Sequence, residues 1–129
     1  SDLEKPLRIL SKTDINMLTG NDSAALSYYA NGGTGCVSVI SNIFPKLCKQ
    51  IDSSWKDGSV GKALVIQREL TPLYNAIFEE SNPIGIKYAA YKLGLCSDEI
   101  LLPLTFASKE TRDKIDIELE RLKDIEENV

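Results

Sequence analysis

The chain has 129 residues, of which 43% are hydrophobic and 26% are charged, a composition typical of one globular domain with a hydrophobic core. Its net charge of −4 argues against a nucleic-acid partner and against binding to an anionic membrane surface, because both require a basic face. The apolar runs are shorter than the roughly 20 residues of a membrane-spanning helix, and no signal peptide is recognisable.

The sequence contains no histidine, which removes the commonest general base and the serine–histidine and cysteine–histidine nucleophile pairs. Its three cysteines, Cys36, Cys48 and Cys96, are odd in number and match no metal-ligand spacing. The three cysteines are predicted to be small buried side chains. The protein is predicted to be cytoplasmic and to use no metal ion and no cofactor.

One helix and two strands are predicted in the first part of the chain. Apolar residues at helical spacing predict an amphipathic helix over residues 3–11. Two short apolar runs bounded by turn residues, at 15–18 and 36–40, predict buried strands.

A second helix is predicted between these strands, over residues 23–31. Asp22 is expected to cap its start, and Gly32 and Gly33 are expected to end it. A strand, a helix and a strand at this spacing form a βαβ unit, so the two strands should be parallel neighbours. Chemistry in parallel α/β sheets lies at the carboxyl ends of the strands. The residues predicted at this edge are Thr19, Gly20, Asn21, Val37, Ser38 and Asn42.

The remainder of the chain is predicted to be helical. A helix begins at Pro45 and runs to about residue 56, and the turn at 57–59 marks the predicted boundary between domains 1–57 and 58–129. Further helices are predicted at 61–80, with Pro72 inside it, at 86–93, ending at Gly94, and at 109–126, capped by Ser108, with an irregular segment at 95–107. The residues that recur at helical spacing in the first of these are Leu64, Gln67, Leu70, Leu73, Tyr74 and Ile77.

Two parallel strands do not form a stable sheet by themselves. Parallel strands are normally covered on both faces and need neighbours at their edges. Residues 1–57 therefore have the pattern of a slice of a larger sheet or barrel.

Several motifs follow one another in the order of a known family. They are LTGND at 18–22, GGTGCVSVISN at 32–42, LYNAIF at 73–78, ESNPIGIK at 80–87 and LLPL at 101–104. In these motifs, which span essentially the whole chain, the sequence resembles the carboxyl-terminal half of the dihydrodipicolinate synthase (4-hydroxy-tetrahydrodipicolinate synthase) family. That family belongs to the pyruvate-dependent class I aldolase and lyase superfamily.

The resemblance implies an α/β fold, with residues 1–57 as the last part of a (β/α)8 TIM barrel and residues 58–129 as an all-helical carboxyl-terminal domain. It implies condensation of pyruvate with L-aspartate 4-semialdehyde through a lysine Schiff base, in lysine and diaminopimelate biosynthesis. The Schiff-base lysine of the family belongs to a motif before the first residue of this sequence. The 129 residues alone are therefore expected to be inactive and to contain no catalytic residue.

The resemblance also implies two substrate-binding residues. Gly20 matches a glycine whose backbone carbonyl lines the active site, and Val37 matches an aliphatic residue that packs against pyruvate. Two positions depart from the family pattern. Asn21 stands where aspartate is usual, and Gly85 stands where a second proline is usual and is expected to loosen a turn at little cost.

Three interpretations remain open. The chain is part of the synthase, working as a homo-oligomer (a tetramer in the family) or complemented by an amino-terminal half. It is part of another pyruvate-dependent sugar-acid aldolase, which a substrate screen would distinguish. Or it is a catalytically inactive truncated relative that acts only as a folded or oligomerising module, which predicts self-association and no Schiff base.

Overall fold

The computed structural model of the chain describes residues 4–128. Within them, a pair of short parallel strands lies on a group of packed helices. The elements in chain order are α1 (Lys5–Leu10), β1 (Leu18–Thr19), a 3-10 turn (Asp22–Ala24), α2 (Ala25–Ala30), β2 (Gly35–Cys36), a 3-10 turn (Ile40–Asn42), α3 (Pro45–Lys56), α4 (Val60–Ile77), α5 (Ile84–Lys92) and α6 (Lys109–Glu127).

The two strands pair in parallel, which confirms the predicted βαβ unit. Leu18 lies opposite Gly35, and Thr19 lies opposite Cys36. Successive side chains of a strand point to opposite faces. Accordingly, Thr19 is buried and Cys36 packs against the core, whereas Leu18 is 56% exposed. One face of the sheet therefore packs on the helices and the other is uncovered.

The strands are shorter than predicted and are not buried on both faces. The run at 36–40 ends as a strand at Cys36, and Ile40 begins a 3-10 turn. Ile15 lies before β1 and is more than half exposed. Among residues 4–128 each strand has only one partner, so the ladder extends only where the two segments lie side by side.

The helix α1 is present, although its predicted start at Leu3 lies outside the described residues. Only Pro6 of this helix is buried, and the apolar side chain of Leu7 is 54% exposed. The side chain of Leu7 is therefore left largely uncovered, like the outer face of the sheet.

The prediction that Asp22 caps the next helix is wrong. The Asn21 side chain accepts a hydrogen bond from the backbone N–H of Ser23 at 3.1 Å and begins the 3-10 turn. The predicted stop is confirmed, because Gly32 follows α2 with a φ of +88°, a conformation that glycine adopts without strain.

The helices α3 and α4 pack on each other across the turn at Gly58, where φ is +79°. The long helix continues through Pro72. Of the residues at helical spacing, Leu64 is exposed. The hydrophobic core runs without interruption from α2 to α6, so the division at residue 57 stays a prediction. The large side chains with no exposed surface at its centre are Ile40, Leu47, Leu70, Leu73, Ile77, Ile115 and Leu122.

Gly85 has a different role from the predicted loose turn. It is the second residue of α5 and is buried. A Cβ at this position would overlap with the carbonyl oxygen of Ile77 and lie 2.9 Å from its Cα atom. The start of α5 therefore rests directly on the backbone at the end of α4.

The last helix agrees with its prediction. The Ser108 hydroxyl accepts a hydrogen bond from the backbone N–H of Thr111 at 3.2 Å, and α6 runs from Lys109 to Glu127. The preceding segment contains neither helix nor strand, as predicted. Leu101 and Leu102 within it are almost fully exposed.

A carboxylate from α6 caps α3. The two carboxylate oxygens of Glu126 accept hydrogen bonds from the backbone N–H groups of Lys46 and Leu47, each at 2.9 Å. These N–H groups belong to the first turn of α3 and have no partner inside that helix. The negative charge also faces the positive end of the helix dipole.

Replacing Glu126 by alanine should lower the free energy of unfolding by about 1–2 kcal/mol, because two backbone donors lose a charged acceptor. Urea unfolding followed by circular dichroism measures this change. Glu127→Ala, one residue further along and exposed, is the matched control and should change stability by less than about 0.5 kcal/mol. Equal effects of the two substitutions would contradict the capping role.

Candidate functional site

The carboxyl ends of β1 and β2 bring Gly20 and Val37 side by side. The backbone N–H of Val37 donates a hydrogen bond to the carbonyl of Thr19 at 2.8 Å, so each chain leaves the sheet next to the other. Apart from Gly20 itself and its two chain neighbours, no heavy atom of residues 4–128 lies within 4 Å of the position where Gly20 would carry a Cβ. Val37 is 65% exposed. This edge therefore presents a bare backbone beside an open apolar side chain.

An open cleft of about 530 Å³ lies beside Gly20. One wall is the turn after β1, with Asn21 and Ser23, and the other is the end of α4. The residues that α4 and its C-cap contribute are Tyr74, Asn75 and Phe78. These three were not predicted as site residues, although the LYNAIF motif that contains them was a signal that the segment matters.

Thr19 and Asn21 shape the turn that carries Gly20. The buried Thr19 hydroxyl accepts a hydrogen bond from the backbone N–H of Asn21 at 3.1 Å. The Asn21 amide oxygen in turn accepts the Ser23 hydroxyl at 2.8 Å. Both side chains thus bond within the turn, which gives Gly20 a defined backbone position.

Ser38 and Asn42 form local contacts away from the cleft. The Ser38 hydroxyl accepts a hydrogen bond from the backbone N–H of Ser41 at 2.9 Å and lies 3.6 Å from the Cys48 sulfur. The Asn42 amide donates to the carbonyl of Val39 at 2.8 Å. The structure therefore gives both residues a role in the turn after β2 and does not place them in the cleft with Gly20.

A buried carboxylate connects the two strand ends. Asp22 is 3% exposed, and its Oδ2 atom accepts a hydrogen bond from the backbone N–H of Val39 at 2.9 Å. The Gln67 side chain of α4 donates to the carbonyl oxygen of Asp22 at 3.0 Å. The other amide atom of Gln67, Oε1, is buried and has no hydrogen-bond partner among residues 4–128.

The thiols beside this carboxylate are poor nucleophiles at neutral pH. Burial, together with the charge of Asp22, raises the pKa of the Cys36 thiol to about 12. Burial raises the pKa of the Cys48 thiol to about 11. Both therefore stay protonated, and only the thiolate reacts readily. The third cysteine, Cys96, was predicted to be buried but is exposed.

The lysines lie on α1, α3, α4, α5 and α6, except Lys12, which lies in the turn after α1. Lys49 and Lys56 of α3 line an open groove that also includes Leu18, Cys36 and Ser38. No amine of this sequence is therefore attached to a strand end or to the segments that follow β1 and β2.

Metal-binding clusters and membrane-spanning helices are both missing from the described part of the chain. It contains no group of three or more histidine, cysteine, aspartate or glutamate residues that could hold a metal ion. It also contains no helix that combines the length and the apolar character needed to span a membrane.

Comparison with known proteins identifies relatives across most of the chain. The model of the dihydrodipicolinate synthetase family matches residues 2–122. A protein of Rickettsia bellii (strain OSU 85-389) named 4-hydroxy-tetrahydrodipicolinate synthase is 53% identical over 117 residues, which are 89% of this chain and 40% of that protein. The chain thus spans about 40% of the length of the curated relatives it matches.

Solved structures of similar sequence share the fold. Dihydrodipicolinate synthase from Aquifex aeolicus superposes with a TM-score of 0.90 at 31% identity, over 95% of this chain and 42% of that one. The chloride-inhibited enzyme from Acinetobacter baumannii, solved in complex with pyruvate, superposes with a TM-score of 0.85 at 26% identity, over 92% of this chain and 42% of that one. The paired strands and the helices of the described residues therefore have the arrangement found in about 42% of each of these larger chains.

Proposed function

Because this chain belongs to the dihydrodipicolinate synthetase family, we propose that it is part of a cytoplasmic lyase that condenses pyruvate with L-aspartate 4-semialdehyde in lysine and diaminopimelate biosynthesis. The observation that carries the proposal is its 53% identity over 117 residues to a protein named as that synthase. The pyruvate complex of the Acinetobacter relative supports pyruvate as one of the two substrates.

The proposed contribution of this chain to the site is one wall of the pyruvate pocket. The carbonyl of Gly20 lines the site, and the side chain of Val37 packs against bound pyruvate. Their adjacency at the carboxyl edge supports this assignment, as does the lack of any side chain over Gly20. A flat apolar wall excludes water from the reacting carbon, and a bare backbone lets the substrate approach closely.

The proposed reaction begins on a lysine that is not one of these 129 residues. Its neutral amine condenses with the ketone of pyruvate, water leaves, and loss of a methyl proton from the imine gives an enamine nucleophile for the aldehyde. No lysine of this sequence belongs to a strand or to the segments that directly follow β1 and β2, which supports a source elsewhere. We therefore assign no catalytic residue to this chain.

The proposed setting of the strands is a (β/α)8 barrel whose remaining strands cover the exposed face of the sheet. Leu18 and Val37 would then point into the barrel interior, while Thr19 and Cys36 face the surrounding helices. In this arrangement residues 1–57 end the barrel and residues 58–129 form the helical domain. The apolar side chains left uncovered on this sheet face and on α1 support the proposal.

Borohydride reduction in the presence of pyruvate tests the proposal, because it fixes a Schiff base as a stable adduct. The 14.3 kDa chain alone should keep its unmodified mass. Mixed with the part of the Rickettsia bellii synthase that this chain does not match, it should support adduct formation on that complementary chain. Turnover with L-aspartate 4-semialdehyde, and not with sugar-acid aldehydes, would then assign the branch of the superfamily.

Two outcomes would contradict these assignments. An adduct on the 14.3 kDa chain would place the lysine within this sequence. Self-association of the chain, measured by sedimentation, with no adduct in any mixture would favour a folded or oligomerising module over the enzyme. A homo-oligomer that carries the adduct would agree with the proposal, because the enzyme is expected to assemble from several copies.

A further inference from the structure

We propose that Asp22 is a positioning residue of the pyruvate pocket, because its carboxylate holds the chain that carries Val37 against the chain that carries Gly20. This inference rests on the proposed function, since it assigns a role toward pyruvate. It also makes a structural claim that can be tested without substrate.

The position of Asp22 just beyond the paired strands carries the inference. The backbone ladder reaches its last rung at the bond from Val37 to Thr19. Three residues after Thr19 on one chain and two residues after Val37 on the other, the Asp22 carboxylate accepts the N–H of Val39 at 2.9 Å. A side chain thus supplies the next rung where the two backbones diverge. The segments that carry Gly20 and Val37 are therefore bracketed by bonds on both sides.

Burial of the Asp22 carboxylate indicates that its position next to the Val39 N–H matters. Asp22 is 3% exposed, and no lysine or arginine of residues 4–128 forms an ion pair with it. A buried carboxylate without a cation partner opposes folding. An apolar residue of similar size would avoid that cost but would leave the Val39 donor unpaired. The carboxylate therefore serves the placement of the strand ends more than it serves stability.

Gln67 anchors the same residue from the opposite side. Its side-chain amide donates to the carbonyl oxygen of Asp22 at 3.0 Å, and both groups are buried. Gln67 belongs to α4, which also forms one wall of the open cleft. Asp22 is thus held to the helical part of the chain by its backbone and holds β2 by its side chain. Such support from surrounding groups fixes the geometry of a binding site before the ligand arrives.

The experiment compares Asp22→Ala with Asp22→Asn in the complete protein that contains this sequence. Alanine removes the acceptor, whereas asparagine keeps one oxygen for the Val39 N–H. For Asp22→Ala we expect the KM for pyruvate to rise about tenfold with kcat changed less than about threefold, because the pocket is misplaced while the reacting groups are intact. Asp22→Asn should restore KM to within about threefold of the parent. Exchange of the Val39 amide with deuterium should accelerate in the alanine variant only.

Thr111→Ala is the matched control, because Thr111 is also nearly fully buried, at 2% exposure, but lies on α6 away from the sheet. It should reduce thermal stability without changing the KM for pyruvate. An unchanged KM in Asp22→Ala, or a KM raised equally in the alanine, asparagine and Thr111 variants, would overturn the inference. If the parent protein does not use pyruvate, the proposed function fails. Exchange at Val39 then decides the positioning role alone, and an unchanged rate in Asp22→Ala overturns it.

Discussion

Substituting Gly85 by alanine should lower the free energy of unfolding by about 3 kcal/mol, at the upper end of the usual cost of overpacking a core. The added Cβ would overlap with the carbonyl oxygen of Ile77, which is a backbone atom and cannot rotate away. Relief therefore requires α5 to move off the end of α4. Such a movement would disturb the packing of Ile84, Ile86 and Ala89, which are buried beside this contact.

Gly61→Ala is the control for this substitution. Gly61 lies in α4 and is exposed, and no described atom outside its chain neighbours and its own helix backbone lies within 4 Å of the place that a Cβ would take. Alanine there should stabilise the protein by about 0.5–1 kcal/mol, because it favours the helix and restricts the unfolded chain. Thermal and urea unfolding of both variants measure the contrast. A Gly85→Ala protein as stable as the parent would show that the backbones of α4 and α5 are not in direct contact.

Substituting Val37 by aspartate should weaken pyruvate binding by about 100-fold or more, which corresponds to about 2.8 kcal/mol. The new carboxylate would stand where an apolar wall is proposed, and it would repel the carboxylate of pyruvate. Its own hydration would also be disturbed when the ligand is bound. The yield of borohydride-trapped adduct as a function of pyruvate concentration measures this effect in the complete protein.

Val65→Asp is the matched control, because Val65 is also an exposed valine, at 57%, but lies on α4 away from the sheet edge. It should leave pyruvate binding within about twofold of the parent, as expected for a surface substitution away from any site. Circular dichroism shows whether both variants are folded. A folded Val37→Asp protein with the pyruvate affinity of the parent would exclude Val37 from the pocket wall.

Much of the helical structure could be predicted because its signals are local. Pro45 at the start of α3 and Ser108 before α6 act within a single turn of their own helix, so each signal lies entirely in the neighbouring residues. Gly94, with a φ of +73°, follows α5 for the same kind of reason. The cap that Glu126 supplies to α3 could not be predicted, because donor and acceptor are 80 residues apart in the case of Lys46.

The candidate site was predicted in part. The parallel pairing of β1 and β2 follows from the spacing of two apolar runs around one helix, and it places Gly20 beside Val37. The wall formed by Tyr74 and Phe78 was missed, since it depends on how α4 returns across the strand ends. Burial of the sheet was overestimated, because apolar residues predict a covered face but do not say which part of a protein covers it.

The sequence by itself determined the order of the elements, the direction of the two strands and the family, because helix caps, turn glycines and motif spacing are properties of neighbouring residues. Only the tertiary structure decided which of the neighbours Asn21 and Asp22 caps the 3-10 turn after β1. Asn21 caps the turn, whereas Asp22 is buried and accepts a hydrogen bond from the N–H of Val39, which is 17 residues away in the sequence. The tertiary structure likewise decided that α5 contacts the backbone of α4 at Gly85, since the carbonyl of Ile77 occupies the space that a side chain would need there. Both outcomes depend on groups that meet only after folding.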